Sequence, residues 1–404
     1  MELQTQLLAY LPALGFVKLE EPSRQSLRAS IGTLRLLAYE SRTPRRFRRL
    51  CSTLLEPFGL ASWIERNWQG PSRLTLIALF LVPVYLTSAV SAVITRLLPM
   101  PKAAIRMKSS DILVIPGTSW WGRELETQLP ELHAQGIHLI PLIHDMFPLT
   151  HAHVVRHDII DDFRRNINTL LSISAMVLTN SNFTARQLVS YIQKKDFNPR
   201  PEVESFRMGI ELDLVDTRQS PRAELHSVFS SEAVFLTVGT VEPRKNLPFL
   251  LDAFMELWKW HPEIPLVVVG KYGWKSESTR ARIKSLIAAG RPLYWFQDLN
   301  DSELAWCYRH ARALIYPSLI EGFGLPLLEA LLHGCPVLAS DIPVFREIGG
   351  EHCRYFPLDD PTPLSALIEE YAANPPSRPR VEWPNWQESA VEFFGKIRDH
   401  FQAR

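Results

Sequence analysis

Glu321 and Glu329 flank the run Gly322-Phe323-Gly324-Leu325-Pro326. The glycines read as a loop. Pro326 suits the first turn of a helix, because its φ is already helical and its missing N–H would have no partner there. Free amides at a helix start, together with the helix dipole, favour an anion. Phosphate is therefore the chemistry this turn can serve, with the two carboxylates left to contact neutral hydroxyls of the same ligand. Taken alone, the spacing equally fits a glycine turn with two surface glutamates. A second candidate is Gly239-Thr240-Val241-Glu242-Pro243-Arg244-Lys245-Asn246, which follows a β-rich run and offers two adjacent cations. Two positive charges suit a diphosphate, and a guanidinium can pair two oxygens at once. A solvated Arg-Lys pair is the plainer reading of those residues.

Both candidates lie where a β-rich run gives way to a helical one, the alternation that builds parallel α/β sheets. In an early block, residues 111–115, 136–143 and 175–179 read as strands. Helices are expected over 123–135, over 158–171 and from Ser181, whose hydroxyl can cap a helix start. Residues 196–201 read as loop, and a domain break is expected around 209–222. In the later block, strands are expected at 234–238, 266–269, 293–296, 313–316 and 337–339. Helices belong near 247–259, 277–289, 301–311, 326–333 and 364–373. Pro375, Pro376, Pro379 and Pro384 then interrupt the chain before a last helix, over about 387–402, that can cross back onto the first domain. The resulting division is 1–212, 213–376 and a closing segment 377–404. Ligands of such sheets bind at the carboxyl ends of the strands, where the Gly239 loop stands.

The chain has 404 residues, which at roughly 100–200 residues per domain predicts two domains. With 46% hydrophobic and 22% charged residues it has the material for substantial cores and is not mainly disordered. Lys and Arg total 44 against 43 for Asp and Glu, a balance that argues against general coating of nucleic acid. Cys51, Cys307, Cys335 and Cys353 are irregularly spaced, so neither a disulfide framework nor a thiolate zinc site is suggested. The N-terminal residues carry Glu2 and no basic stretch, and do not read as a secretory signal. A cytoplasmic location is expected.

Phe47, Leu50, Cys51, Leu54 and Leu55 share a helical face while Arg45, Arg46, Arg48 and Arg49 occupy others. This is either an ordinary surface helix or one lying on anionic lipid, which would make the protein peripheral at the inner membrane face. Residues 74–95 contain no charge, but Pro83 interrupts them, so a soluble core, shallow insertion and a span are all open. His151, His153 and His157 beside Asp158, Asp161 and Asp162 fit no metal-ligand spacing, and a polar loop flanking the cleft is the preferred reading. Trp120 and Trp121 either pack in the core or at the rim, the preferred reading, or offer aromatic faces to a ligand. No Asp-x-Asp occurs, so a metal-dependent diphosphate site lacks its usual residues; no Gly-x-Gly-x-x-Gly opens a helix after a strand, which argues against a dinucleotide oxidoreductase.

Together these motifs resemble the retaining glycosyltransferases of family 4, whose GT-B architecture sets two Rossmann-like domains with parallel sheets about a central cleft. The family's E-x7-E signature corresponds to Glu321 and Glu329, and its Gly-x5-Lys loop to Gly239 and Lys245. The likeness runs through Cys335-Pro-Val-Leu-Ala-Ser, Glu347-Ile-Gly-Gly and Tyr355-Phe-Pro, and back to Ile143-His144-Asp145 and Thr179-Asn-Ser181, covering about 111–372. The resemblance implies that Arg244 and Lys245 hold the donor diphosphate and stabilise the leaving group. It implies that Glu329 binds ribose, Glu321 faces the donor sugar and His144 reaches that sugar from the first domain. Gly239, Thr240, Gly322, Phe323, Gly324 and Leu325 would line the donor. No metal and no cofactor are implied. Where many relatives carry Arg after the loop glycine this chain has Thr240, and the family's early glycine-rich loop is missing, with only Gly15 and Gly32 nearby. The expected activity is metal-independent, retaining transfer of a hexose from a nucleotide diphosphate sugar to a saccharide or lipid-linked saccharide. The Glu-Pro-Arg-Lys-Asn loop resembles that of bacterial polysaccharide mannosyltransferases, which favours GDP-mannose. The alternative is a noncatalytic scaffold that binds nucleotide sugar or glycan.

Overall fold

Residues 138–143, His-Leu-Ile-Pro-Leu-Ile, are apolar after the first position, as a strand covered on both faces must be. In the computed structural model, which describes residues 8–11, 15–18, 107–116, 123–210, 220–231 and 233–403, they form an inner strand of a four-stranded parallel sheet. By itself, the unit Met1–Met107 shows an antiparallel hairpin of β1 (Leu8–Leu11) and β2 (Gly15–Lys18), with Leu8 opposite Lys18. The compact unit Lys108–Arg404 holds everything that follows.

Its first sheet has the order β3 (Ile112–Ile115), β4 (His138–Ile143), β5 (Met176–Thr179), β6 (Glu202–Ser205). The connecting helices are α1 (Arg123–Ala134), α2 (His157–Ile173) and α3 (Asn182–Lys195). Strand β4 starts two residues later than the sequence predicts because Gly136, at φ 84°, still turns the chain. Strand β6, Glu-Val-Glu-Ser, was not expected at all; it is an edge strand whose half-exposed Glu202 and Glu204 pair with His400 and Lys396 of the last helix. On one face Ile143 and Val177 pack with Phe163, Ile167, Leu188 and Ile192 of α2 and α3.

The second sheet has six parallel strands in the order β12-β11-β10-β7-β8-β9. They are β7 (Phe235–Val238), β8 (Leu266–Val269), β9 (Leu293–Phe296), β10 (Ala313–Tyr316), β11 (Val337–Ser340) and β12 (Cys353–Phe356). Its helices are α4 (Leu247–Leu257), α5 (Glu277–Ala288), α6 (Asp301–His310), α7 (Leu325–Leu332), α8 (Pro343–Gly349) and α9 (Thr362–Ala373). Alternate strand residues serve opposite faces, as the pleat demands. Leu236, Val267, Leu314 and Val337 pack beneath α6, α7 and α8, while Phe235, Leu266, Val268 and Ile315 pack beneath α4, α5 and α9. Strand β12 and helix α8 were not expected from the sequence; each is short, and the strand lies at the sheet edge.

The last helix, α10 (Trp386–Gln402), opens with an Asn385/Glu388 capping box and lays Phe393, Phe394, Ile397 and Phe401 on the free face of the first sheet, against Ile140, Leu142 and Leu178. The chain therefore passes between the sheets twice. The two passages touch: Trp383 Nε1 donates to the Met208 carbonyl at 2.8 Å, and Ile210 N donates to the Pro384 carbonyl at 3.1 Å.

The basic amphipathic run near 45–55, the apolar run 74–95 and Trp120 and Trp121 lie outside the described residues. Among the described residues, no helix is long and apolar enough to cross a membrane.

Candidate functional site

In the second sheet, β7 leads outward to β8 and β9 while β10 leads the other way to β11 and β12. The connections leaving β7 and β10 run opposite ways, which marks the topological switch point where open α/β sheets take a ligand in a crevice; the two loops also touch, Leu319 N donating to the Arg244 carbonyl at 2.8 Å. Both motifs singled out in the sequence fall on those two loops.

After β7, Pro243–Lys245 form one 3-10 turn closed by Asn246 in the left-handed region. This turn puts Lys245 inward and buries it. Its stem passes Gly239, whose φ is 145°, and a β-carbon there would meet Lys245 Cε at 3.1 Å. The Lys245 ammonium donates to Glu321 Oε1 at 2.6 Å and to the Tyr316 hydroxyl at 2.7 Å. Arg244 Nη1 donates to the other carboxylate oxygen, Glu321 Oε2, at 2.5 Å, and its Nε reaches Glu242 Oε1 at 2.6 Å. Ser318 Oγ also donates to Glu321 Oε1, at 2.8 Å. Burial works to raise the Glu321 pKa, yet Lys245 and Arg244 outweigh it and hold the carboxylate below its ordinary value. Burial pushes the Lys245 ammonium down, with Glu321 opposing.

Gly324, at φ 102°, ends the loop after β10 and opens α7. In the first turn of this helix Pro326 has no amide and Leu327 N donates to the Gly324 carbonyl at 3.0 Å, which leaves the Leu325 amide at the helix start. Phe323 is buried in the core, edge-on to Trp383, whereas Leu325 is exposed. Glu329 stands one turn into α7 and accepts from the Tyr308 hydroxyl at 2.9 Å; burial raises its pKa and that hydrogen bond lowers it, with burial prevailing. Thr240 is exposed and sends its methyl toward Gly273 on the neighbouring loop after β8.

The first sheet reaches this crevice through the end of β4. A β-carbon on Gly322 would come within 2.2 Å of the His144 carbonyl, so the two loops meet backbone to backbone and only glycine fits. The His144 ring lies 3.0 Å by Nε2 from the Pro116 carbonyl and 3.5 Å by Nδ1 from Asn180 Nδ2. Asn180 is buried and its Oδ1 has no hydrogen-bond partner among the described residues. Asp145 lies beside Arg244 and Glu321; burial pushes its pKa up to about 7, Arg244 resists and Glu321 adds to the rise.

The structure thus gathers Arg244, Lys245 and Glu321 into one ion cluster and brings the His144 turn against Gly322. Glu329 sits apart from the cluster on Tyr308. The carboxylate of Glu321 does not stand free, as its expected place against the sugar suggested, but between the two cations. Tyr316, Ser318, Asp145 and Asn180 also belong to the site and were not selected as site residues. Their signal was position, since each is at the end of a strand or within a few residues of one. Among the described residues no three His, Cys, Asp or Glu side chains are grouped to hold a metal.

Residues 224–382 match the family model for glycosyl transferases group 1. The serotype-specific mannosyltransferase WbdA of Escherichia coli is 33% identical over 279 residues, 66% of this chain and 34% of that protein. The chain is similar to the glycosyltransferases of family 4. It spans about a third of the length of WbdA. The O-antigen chain mannosyltransferase B of Escherichia coli is 28% identical over 239 residues, 57% of this chain and 60% of that protein. Among solved structures, sucrose-phosphate synthase from Thermosynechococcus elongatus superposes with a TM-score of 0.56 at 20% identity, covering 72% of this chain and 74% of that one. The fold of this chain is therefore GT-B, two parallel α/β sheets each served by its own helices.

Proposed function

We propose that the chain transfers a hexose, with retention of configuration, from a nucleotide diphosphate sugar to a saccharide or lipid-linked saccharide in polysaccharide or glycoconjugate synthesis. The observation that carries this reading is the pairing of Arg244 and Lys245 on Glu321 at the mouth of the β7/β10 crevice, with the start of α7 beside them and the His144 turn touching Gly322. A diphosphate entering there would compete with Glu321 for both cations and take the Leu325 amide at the start of α7 as a further donor. Glu329 would accept from ribose hydroxyls. Glu321, displaced toward the hexose, would accept from its hydroxyls, and His144 would meet the sugar from the first sheet. As the glycosidic bond to phosphate breaks, negative charge accumulates on the leaving diphosphate, where fixed cations stabilise the transition state most.

Mannose, with GDP as carrier, is the favoured donor, supported by the Glu-Pro-Arg-Lys-Asn loop and by mannosyltransferases among the relatives. The reaction needs no metal and no cofactor. A cytoplasmic protein resting on the inner membrane face would meet a lipid-linked acceptor there. The test is a panel of nucleotide sugars assayed for nucleoside diphosphate release with and without membrane extract, alongside Glu321→Ala and Lys245→Ala. GDP release from GDP-mannose that needs extract and falls in both variants is expected. Donor binding without release or transfer under any condition would replace the enzyme with a scaffold. Co-sedimentation with anionic vesicles tests the membrane contact, and equal recovery in the supernatant with and without vesicles removes it.

A further inference from the structure

Helix α3 begins at the carboxyl end of β5 in the first sheet, yet its first backbone amides are capped from the second. Glu347, on α8 of the second sheet, accepts Asn182 N at 2.6 Å through Oε1 and Phe183 N at 2.8 Å through Oε2. A carboxylate at that place satisfies two orphan amides and the positive end of the α3 dipole together. Ser181, the residue before the helix, accepts from Thr184 N at 3.1 Å and donates to the Gly322 carbonyl at 2.8 Å. Thr184 Oγ1 is 3.3 Å from the same carbonyl and 3.4 Å from that of His144. One end of one helix thus holds both the Glu321-Gly322 loop and the His144 turn, and Glu347 adds to the Ser181 and Thr184 contacts a charged tie between that end and the donor-side sheet.

The geometry points to Glu347 as a positioning residue for transfer: through the α3 amides it holds the two sheets closed, so that His144 and Glu321 face one sugar. This rests on the proposed function for its catalytic consequence but not for its structural one. Arg186, 3.6 Å from Glu347 and largely exposed, is a peripheral member of the contact.

Two measurements judge it. With the donor and acceptor found for the parent, Glu347→Ala lowers kcat roughly ten- to hundredfold while the Kd for GDP or UDP, bound by the second sheet alone, moves less than about threefold. Glu347→Gln, which retains one acceptor oxygen, falls between, and Arg186→Ala keeps the parental rate. Ser181→Ala combined with Glu347→Ala costs less than the product of the single losses, because both act through one helix end. A parental kcat in Glu347→Ala overturns the assignment.

The second measurement needs no turnover. Spin labels at Ser172→Cys on α2 and Ser285→Cys on α5, both exposed positions, in a Cys51→Ser background report the distance between sheets, the other cysteines being buried. Glu347→Ala adds a population at longer distance. Superimposable distributions for parent and variant overturn the assignment even if the parent transfers no sugar, and a parent that transfers none while the distances shift refutes only the proposed function.

Discussion

The Lys245 ammonium lies 2.6 Å from Glu321 Oε1, with both side chains buried. Neither group can lose the other without leaving a charge away from water, so the pair is costly to break from either side. Its partners Arg244, Tyr316 and Ser318 make it a network.

Replacing Glu321 with Ala leaves two cations facing each other with no carboxylate between them. Breaking such a buried pair costs about 3–5 kcal/mol. Urea unfolding of Glu321→Ala is expected to show a loss of that order, and Glu321→Gln, which keeps shape and an acceptor, a smaller one. Equal midpoints for Glu321→Ala and the parent would contradict the buried network.

Lys245→Met keeps the stem beside Gly239 and removes the charge. A loss in kcat/KM of about 10²–10³ is expected, the usual effect of deleting one donor to a developing anion. Steady-state kinetics on the best donor in the panel decide it. A drop confined to KM would mean that Lys245 serves only to bind the donor.

Asp145 ordinarily titrates at 3.8 and is pushed up to about 7 in the folded protein, by burial first and by Glu321 in addition, against Arg244. The folded chain therefore holds a proton that the unfolded chain releases between these values, and this contribution to stability declines as pH rises from about 4 to 7, then levels off. Asp145→Asn removes that slope. Its stability relative to the parent should improve from about pH 4 to pH 7 and then hold level in paired denaturant titrations, and a constant difference across that window would mean that Asp145 titrates normally.

Glu329 accepts from Tyr308 and is expected to turn toward ribose. Glu329→Ala should weaken nucleoside diphosphate binding about tenfold, the size of one lost hydrogen bond to a charged group. Calorimetric titration reads this directly; unchanged affinity would place the ribose elsewhere.

Gly322→Ala brings a methyl within 2.2 Å of the His144 carbonyl. Overpacking of this kind costs about 1–3 kcal/mol. Because the clash lies between the sheets, activity should fall further than the melting temperature suggests, and a fully active variant would show that the two loops part freely.

The second half was legible because its strands are apolar runs and its helices carry clear start signals, such as Asn300 before Glu303. Glycines and prolines marked the Glu321 loop in the same way. What periodicity hides is contact between distant segments. Glu347 is 165 residues from Asn182, and nothing in the local pattern of either predicts that one caps the other. The same holds for Glu321, since its charge and place in a loop were readable but its capture by Lys245 depends on β7 and β10 being neighbours in the sheet. Edge strands such as β6 escaped because a strand exposed along one side need not be apolar.

The contact between Trp383 and Met208, with Ile210 and Pro384 beside it, binds the two crossings into a single spine. A lone tether would let the lobes swivel, twist and slide. A doubled one leaves a book-like swing as the cheap motion, so that however far the covers part, the pages come back together in the same alignment.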